Sequence, residues 1–233
     1  MDNLFIKYMS ERAKKAVSTD GNVDSSGPVI TISRQYGCPA ERISEKLVKV
    51  LSKRASVNQG SLEWRLISKE IIEDSAKQLK LTPSLVSDLK EYKSRGFMDH
   101  LTMFFSEGFY TRDSQIMVTI AKFIHAAASQ GHVVVLGRAG EAITQNINHS
   151  LHIKLEAPLD WRVRNVCSER NITPYDAKEL CQEMDKRRTE FRDHFQSGRA
   201  DIEFFDLILN TKTLSDDLIV DMIVNLADSK GLI

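Results

Sequence analysis

Residues 28–42 read PVITISRQYGCPAER, and this segment decides the fold. Its first half, residues 28–33, is a short apolar and β-branched run, which is typical of a buried parallel strand. A helix is predicted to begin near Glu41, because apolar residues follow at helical spacing at Ile43, Leu47, Val50 and Leu51. The segment between strand and helix, Ser33–Arg42, contains Gly37 and is called the glycine loop below.

Further strands and helices alternate downstream of the glycine loop. Strands are predicted for the sequences HVVVL, LHIKL and FFDLIL, at residues 132–136, 151–155 and 204–209. Helices are predicted at about 159–170, at about 174–194 and from Ser215 onward. Because strand and helix alternate in this way, we expect an α/β protein with a parallel, doubly wound sheet that helices cover on both faces.

Two other segments are expected to be helical. Residues 66–130 have an almost entirely helical pattern, and Gly131 suits the position after a helix end. Residues 3–17 predict a short helix, and the polar segment 18–27 predicts a flexible linker. We therefore divide the chain into an N-terminal helix and linker, residues 1–27, and a main domain, residues 28–233. The first helix would pack on the main domain or form an oligomer with a partner chain.

Composition narrows the classes of function. Lys and Arg number 32, as do Asp and Glu, and a net charge of zero argues against a nucleic-acid partner or a membrane-surface role. The chain has no apolar run of about 18 residues, so no membrane span is expected. The start of the chain lacks the apolar core of a signal peptide. Three cysteines without a CxxC pair predict reduced thiols in the cytoplasm, and no cluster has the spacing of metal ligands.

Three places in the pattern could bind an anion, and each has a simpler interpretation. The glycine loop precedes a helix N-terminus, which suits phosphate, although it could be a plain connecting turn. Arg138, in the GRAG turn at residues 137–140, could contact phosphate or form a surface salt bridge. One helix face carries Asp185, Arg188 and Arg192. These side chains could form a phosphate clamp, or they could simply be a solvated charged surface.

The order of these motifs resembles the cytidylate kinase-like family over about residues 28–225. The matching segments are ITISRQYG, VVVLGRAG, LHIKLEAPLDWRVRNV, MDKRR and FDLILNT. The resemblance implies a three-layer fold of the P-loop NTPase type with a central parallel sheet, a helical substrate-binding insert at about 60–115 and a helical lid at about 162–187. It also implies a small nucleotide as ligand, with ATP and Mg²⁺ as cofactors.

The resemblance also implies roles for particular positions. Cofactor-binding residues would be Ser33, Arg34, Gly37, Cys38, Ala40, Glu41 and Arg42. Substrate-binding residues would be Arg138, Asp185 and Arg188, and Asn210 and Thr211 would stand near the nucleotide. Catalytic residues would be Arg34, Arg162 and Arg188. Trp64, Arg65, Lys69 and Tyr92 are candidates for the acceptor pocket, with Trp64 equally suited to the core.

The chain departs from the family pattern in two of these motifs. A P-loop normally carries lysine and then Ser or Thr, where this chain has Ala40 and Glu41, and Pro39 removes a backbone donor. Ala139 replaces the aspartate of the family's G-R-D motif. Arg34 and Arg42 could supply the missing positive charge, since a guanidinium binds phosphate well.

Three functions remain open on these grounds. The first is an ATP-dependent kinase acting on a nucleoside monophosphate or another small acceptor. The second is a nucleotide-binding pseudokinase, and the third is a regulatory or interaction protein that kept the fold and lost catalysis. The set of arginines favours the first, whereas the altered glycine loop favours the other two.

Overall fold

The computed structural model describes residues 27–58, 63–68, 114–195 and 198–233. By internal contacts the chain divides into two compact units, residues 1–22 with 69–126 and residues 23–68 with 127–233. The predicted site residues belong to the second unit, apart from Lys69 and Tyr92 of the acceptor-pocket candidates. The predicted N-terminal helix, and the predicted insert apart from residues 63–68 and 114–115, lie outside the described residues, as do Lys69 and Tyr92.

Strands and helices alternate along the described chain. The strands are β1 (Val29–Arg34), β2 (Arg65–Ile67), β3 (Val133–Leu136), β4 (Ser150–Glu156) and β5 (Leu207–Asn210). The helices are α1 (Ala40–Asn58), α2 (Ser114–Gln130), α3 (Gly140–Ile143), α4 (Leu159–Arg170), α5 (Pro174–Phe195) and α6 (Asp216–Ser229). A 3-10 turn at Asp201–Glu203 precedes β5.

Within the described residues the strands form one five-stranded parallel sheet in the order β2-β3-β1-β4-β5. Ile32 of the central strand β1 lies opposite Leu136 of β3 and Ile153 of β4. The carboxyl ends of β1, β3 and β4 therefore meet at one edge, which is where open parallel sheets place their ligands. This topology confirms the predicted α/β class with a central parallel sheet.

Alternation along β1 and β4 gives the sheet one apolar and one more polar face. Ile30, Ile32 and Ile153 are fully buried in a core that α1 and α6 complete. On the opposite face, a Cβ built on Gly140 of α3 would lie 2.9 Å from Val135 and 3.4 Å from Thr31. Helices thus cover both faces, and α3 is in contact with the more polar one.

The structure corrects the helical prediction at its start. Residues 65–67 form the edge strand β2 beside β3. The sequence pattern did not indicate this strand, because three residues are too few for hydrophobic periodicity to separate strand from helix. Trp64 is only 2% exposed and belongs to the core, and its amide donates a 3.0 Å hydrogen bond to Oγ of Ser52. Of the two alternatives for Trp64, the core residue is therefore the one observed.

Candidate functional site

The glycine loop connects β1 to α1 and lies against α4. Gly37 has φ of +87°, in the left-handed region that glycine adopts without strain. A Cβ on Gly37 would lie 2.9 Å from the carbonyl oxygen of Arg162 and 3.0 Å from its Cβ. Asn165 of α4 also donates to the Gly37 carbonyl at 3.2 Å. Glycine is therefore needed here both for its backbone conformation and for the close approach of α4.

Arg162 joins α4 and α5 to the glycine loop from a buried position. Its side chain is 6% exposed, and its Nε donates to the carbonyl of Ala157 at 2.9 Å. Its Nη1 donates to the carbonyl of Tyr36 at 2.9 Å and to Oδ2 of Asp185 at 2.8 Å. This side chain thus has several acceptors, as a buried guanidinium requires.

Asp185 and Arg188 of α5 contact the same loop. Oδ1 of Asp185 accepts the backbone amide of Tyr36 at 2.6 Å, and Nη1 of Arg188 donates to the carbonyl of Arg34 at 2.9 Å. The Arg188 guanidinium also lies 5.4 Å from the centre of the Tyr36 ring, within cation–π distance. Burial lowers the pKa of Arg188, and the negative charge of Asp185 opposes this shift. Arg162 from one sequence motif and Asp185 and Arg188 from another are thus assembled around the glycine loop.

Arg34 links the glycine loop to the GRAG turn. A Cβ on Gly137 would lie 1.8 Å from Nη1 of Arg34, so this guanidinium lies directly against the Gly137 backbone. Gly137, Arg138 and Ala139 have φ of 72°, 56° and 52°. Left-handed conformations at non-glycine residues are strained and occur preferentially at functional sites. The Arg138 guanidinium lies 5.8 Å from the centre of the Phe191 ring.

Several charged residues near these turns were not among the sequence candidates. Glu141 of α3 is 3% exposed, and burial raises the pKa of its carboxyl while Arg192 and Arg34 oppose the shift. Lys154 pairs with Asp201 and, at 2.6 Å, with Glu156.

Burial acts to lower the pKa of Lys154, but its hydrogen bonds to Asp201 and Glu156 outweigh that effect and raise it. A signal for Lys154 existed in LHIKL, where His152 and Lys154 alternate with apolar residues that face the core. Lys154 lies opposite Ser33 in the β1–β4 register, at the carboxyl end of the sheet.

Other predicted site residues have different surroundings. Ala40, at the position of the usual lysine, is buried in the core. Glu41 is exposed in the first turn of α1. Arg42 has a side chain that is 64% exposed and donates to Asp216 from Nε at 2.5 Å and from Nη2 at 3.3 Å. Arg42 is therefore paired with the start of α6.

Cys38 and the residues after β5 complete the predicted set. Burial raises the pKa of the Cys38 thiol, and a hydrogen bond with Thr211 opposes that shift. Thr211 also donates to the carbonyl of Glu156 at 3.2 Å, and Asn210 Oδ1 accepts the amide of Lys212 at 3.0 Å. Thr211 thus contacts the glycine loop through Cys38, whereas the Asn210 side chain stabilises the turn that follows β5.

The described part of the chain lacks two features, a membrane span and a cluster of metal ligands. Its helices include none with the length and apolar character needed to cross a membrane. The same residues contain no group of three or more His, Cys, Asp or Glu side chains placed to hold a metal ion.

Comparisons with known proteins bear on this arrangement. The chain is 27% identical over 121 residues to the cytidylate kinase of Sulfolobus acidocaldarius, which covers 52% of this chain and 64% of that protein. It is 34% identical over 99 residues to the uronate isomerase of Corynebacterium glutamicum, which covers 42% of this chain and 19% of that protein. The chain thus spans less than two thirds of the length of either curated relative.

A solved structure and a family match complete the comparison. The crystal structure of an uncharacterized protein from Eubacterium ventriosum superposes with a TM-score of 0.62 at 18% identity, covering 87% of this chain and 98% of that one, and so shares the fold. The sequence model of the cytidylate kinase-like family matches residues 29–213, which include the glycine loop, the GRAG turn, α4 and α5. This chain therefore belongs to the cytidylate kinase-like family.

Proposed function

We propose that this protein transfers a phosphoryl group from ATP to a nucleoside monophosphate or another small phosphoryl acceptor. The observation that carries the proposal is the convergence of Arg34, Arg162 and Arg188 on the glycine loop and its neighbouring turn. Family membership supports a nucleotide kinase-like function. Phosphoryl transfer depends mainly on positioning and on stabilising negative charge, which are tasks that fixed guanidinium groups perform.

The arginines would replace the absent lysine. Ala40 offers no charge, and its buried methyl group leaves no route for a cation from that position. Arg188 and Arg162 reach the loop from α5 and α4, and Arg34 reaches the GRAG turn from the end of β1. We assign Arg188 and Arg162 to the transferred phosphoryl group, and Arg34 to the region between donor and acceptor.

The acceptor would bind beside the GRAG turn. Arg138 would contact its phosphate, because a guanidinium can make two parallel hydrogen bonds to phosphate oxygens. Ala139 provides no carboxylate to hydrogen-bond a cytosine amino group, so we do not restrict the acceptor to CMP. Asp185, assigned to the substrate by the family resemblance, contacts the glycine loop in the free chain.

Mg²⁺ would bind mainly through the phosphates of ATP. This ion keeps several water molecules and needs only one or two carboxylates from the protein. Glu41 stands at the position of the hydroxyl that usually binds the ion, and its exposed carboxylate is a ligand type that Mg²⁺ accepts. When bound, the ion would neutralise charge on the phosphate chain.

The second candidate function is nucleotide binding without transfer. The buried Ala40 favours it, because binding through arginines and loop amides can persist where the lysine that catalysis normally uses is missing.

Three further predictions stay predictions: a cytoplasmic location, an oligomer formed through residues 3–17 and the lack of a nucleic-acid partner.

The test uses the whole chain with ATP–Mg²⁺, CMP and AMP. Thermal shift measures binding, because a ligand that binds only the folded state raises Tm, and a coupled assay measures ADP release. Arg188→Met should weaken ATP binding about tenfold or more by removing a charge-assisted contact. Lys186→Met is the matched control, since Lys186 lies on the same helix with a side chain that is 70% exposed.

The outcomes separate the functions. A rise in Tm with ATP, together with acceptor-dependent ADP release, supports the kinase. A rise in Tm without release supports nucleotide binding alone. If no nucleotide shifts Tm at millimolar concentration, both functions are wrong and the interaction protein is favoured.

A further inference from the structure

The Asp185 carboxylate stands where the glycine loop would hold an anion. Its two oxygens accept different donors, Oδ1 the backbone amide of Tyr36 at 2.6 Å and Oδ2 the Nη1 of Arg162 at 2.8 Å. A backbone N–H from a strand-to-helix loop, combined with a guanidinium, is the donor set that proteins use for phosphate oxygens. Here the oxygens come from a helix 149 residues further along the chain.

A phosphate group could not share this position with the carboxylate. Both are anions, and at hydrogen-bond distance from the same donors their charges would repel strongly in a partly buried environment. The Asp185 side chain is 25% exposed and that of Arg162 is 6% exposed, so solvent screens this repulsion only in part.

We propose that Asp185 acts as an internal substitute for a phosphate in the free chain, so that a polyphosphate ligand binds by displacing this carboxylate from Tyr36 and Arg162. The inference rests on the proposed function, because it requires the glycine loop to bind phosphate. Displacement separates α5 from the loop at this contact and releases a donor of Arg162 to the ligand. The carboxylate thereby lowers the apparent affinity, since only chains in which it has left the loop can bind.

The remaining contacts show that the donors do not depend on Asp185 for their positions. Arg162 also donates to the carbonyls of Ala157 and Tyr36, and Arg188 is held by the carbonyl of Arg34. Gly37 is held by Asn165. Neutralising Asp185 should therefore leave the loop and both guanidinium groups in place while it removes the competing charge.

The experiment is a calorimetric titration of the full chain with inorganic tripolyphosphate and, separately, with ATP. Asp185→Asn keeps an oxygen for the Tyr36 amide and removes the charge, and we expect it to bind tripolyphosphate on the order of tenfold more tightly than the wild type. Glu190→Gln is the matched control, because it also removes one negative charge from α5 at a side chain that is 53% exposed. We expect less than a twofold change for the control.

The alternatives give results of different sign. If Asp185 holds the ligand or merely stabilises the fold, Asp185→Asn binds more weakly or equally, and the inference is wrong while the proposed function stands. Equal tightening by Glu190→Gln would also overturn it, because general electrostatics would then suffice. If neither the wild type nor the variant binds tripolyphosphate or ATP, both the inference and the proposed function fail.

A measurement on the unaltered chain covers the case in which the variant does not fold. With ¹⁵N-tyrosine labelling, and with Tyr36→Phe to assign the signal, the Tyr36 amide resonance reports the acceptor of that N–H. We expect it to move during titration with tripolyphosphate as a phosphate oxygen replaces the carboxylate. A resonance that stays in place while calorimetry shows saturation would overturn the inference.

Discussion

On one face of β4, Leu151, Ile153 and Leu155 are buried in an apolar core with α1 and α6. On the other face of the same strand, His152 shares a hydrogen bond with Thr31, and Lys154 forms salt bridges with Asp201 and Glu156. Burying polar groups costs free energy unless each has a partner, so on this face the hydrogen bonds and ion pairs are needed to offset a cost that the apolar face does not have. The comparison teaches that one face supplies stability and the other holds charges near the site.

The apolar face should show the largest effect of a single substitution. Ile153→Ala removes a fully buried side chain, and we expect a loss of about 3 kcal/mol in the free energy of unfolding from lost burial and the cavity left behind. Denaturant unfolding measures it. Ile208→Ala is the control, because Ile208 lies opposite Lys154 on β5 and is 41% exposed. Equal losses of stability in both variants would show that the apolar face is not the main source of stability in this sheet.

His152 should make the other face sensitive to acid. Burial lowers its pKa from the usual 6.5 to about 4, so between these values the unfolded chain binds more protons than the folded one. The stabilisation is complete above pH 6.5 and is lost as pH falls towards 4, by at most about 3 kcal/mol.

His152→Gln tests this prediction, because it should flatten the fall in Tm between pH 6.5 and 4 relative to the wild type. His149→Gln removes an exposed histidine immediately before β4 and serves as the control. If Tm falls as steeply with pH in His152→Gln as in the wild type, the acid sensitivity comes from carboxylates such as Asp201 and the prediction is wrong.

An exposed ion pair between α1 and α6, the helices that cover the apolar face, should have the smallest effect on stability. Lys46 of α1 pairs with Asp217 of α6 at 2.9 Å, with side chains that are 40% and 83% exposed. Lys46→Met should change the free energy of unfolding by less than about 0.5 kcal/mol, because exposed ion pairs contribute little. A loss above 1 kcal/mol in denaturant unfolding would show that charge, besides burial, stabilises this face.

The elements themselves could largely be predicted, because their signals are local. The helix expected at 159–170 has those bounds, and Oγ of Ser215 accepts the amide of Leu218 at the start of α6. The strand β2 could not be predicted, because its three residues acquire their conformation from pairing with β3.

The contacts of the site were harder to predict than its elements. Spacing placed Asp185, Arg188 and Arg192 on one helix face, yet the first two contact the glycine loop and Arg192 bonds to Asp201 at 2.7 Å. Likewise nothing local to Arg42 indicated its pairing with Asp216, which lies 174 residues away. Such partners are fixed by the topology of the sheet, so they become visible only once the strands are ordered.

The guanidinium of Arg34 lying against Gly137 links two distant positions of the chain. Any side chain at position 137 would enter the volume that the Arg34 guanidinium fills. A long side chain at position 34 therefore requires glycine at position 137. Substitutions at these positions should therefore be non-additive: Gly137→Ala should cost less in a chain that already carries Arg34→Ala than in the wild type. In related sequences, a residue larger than glycine at position 137 should accompany a shorter one at position 34.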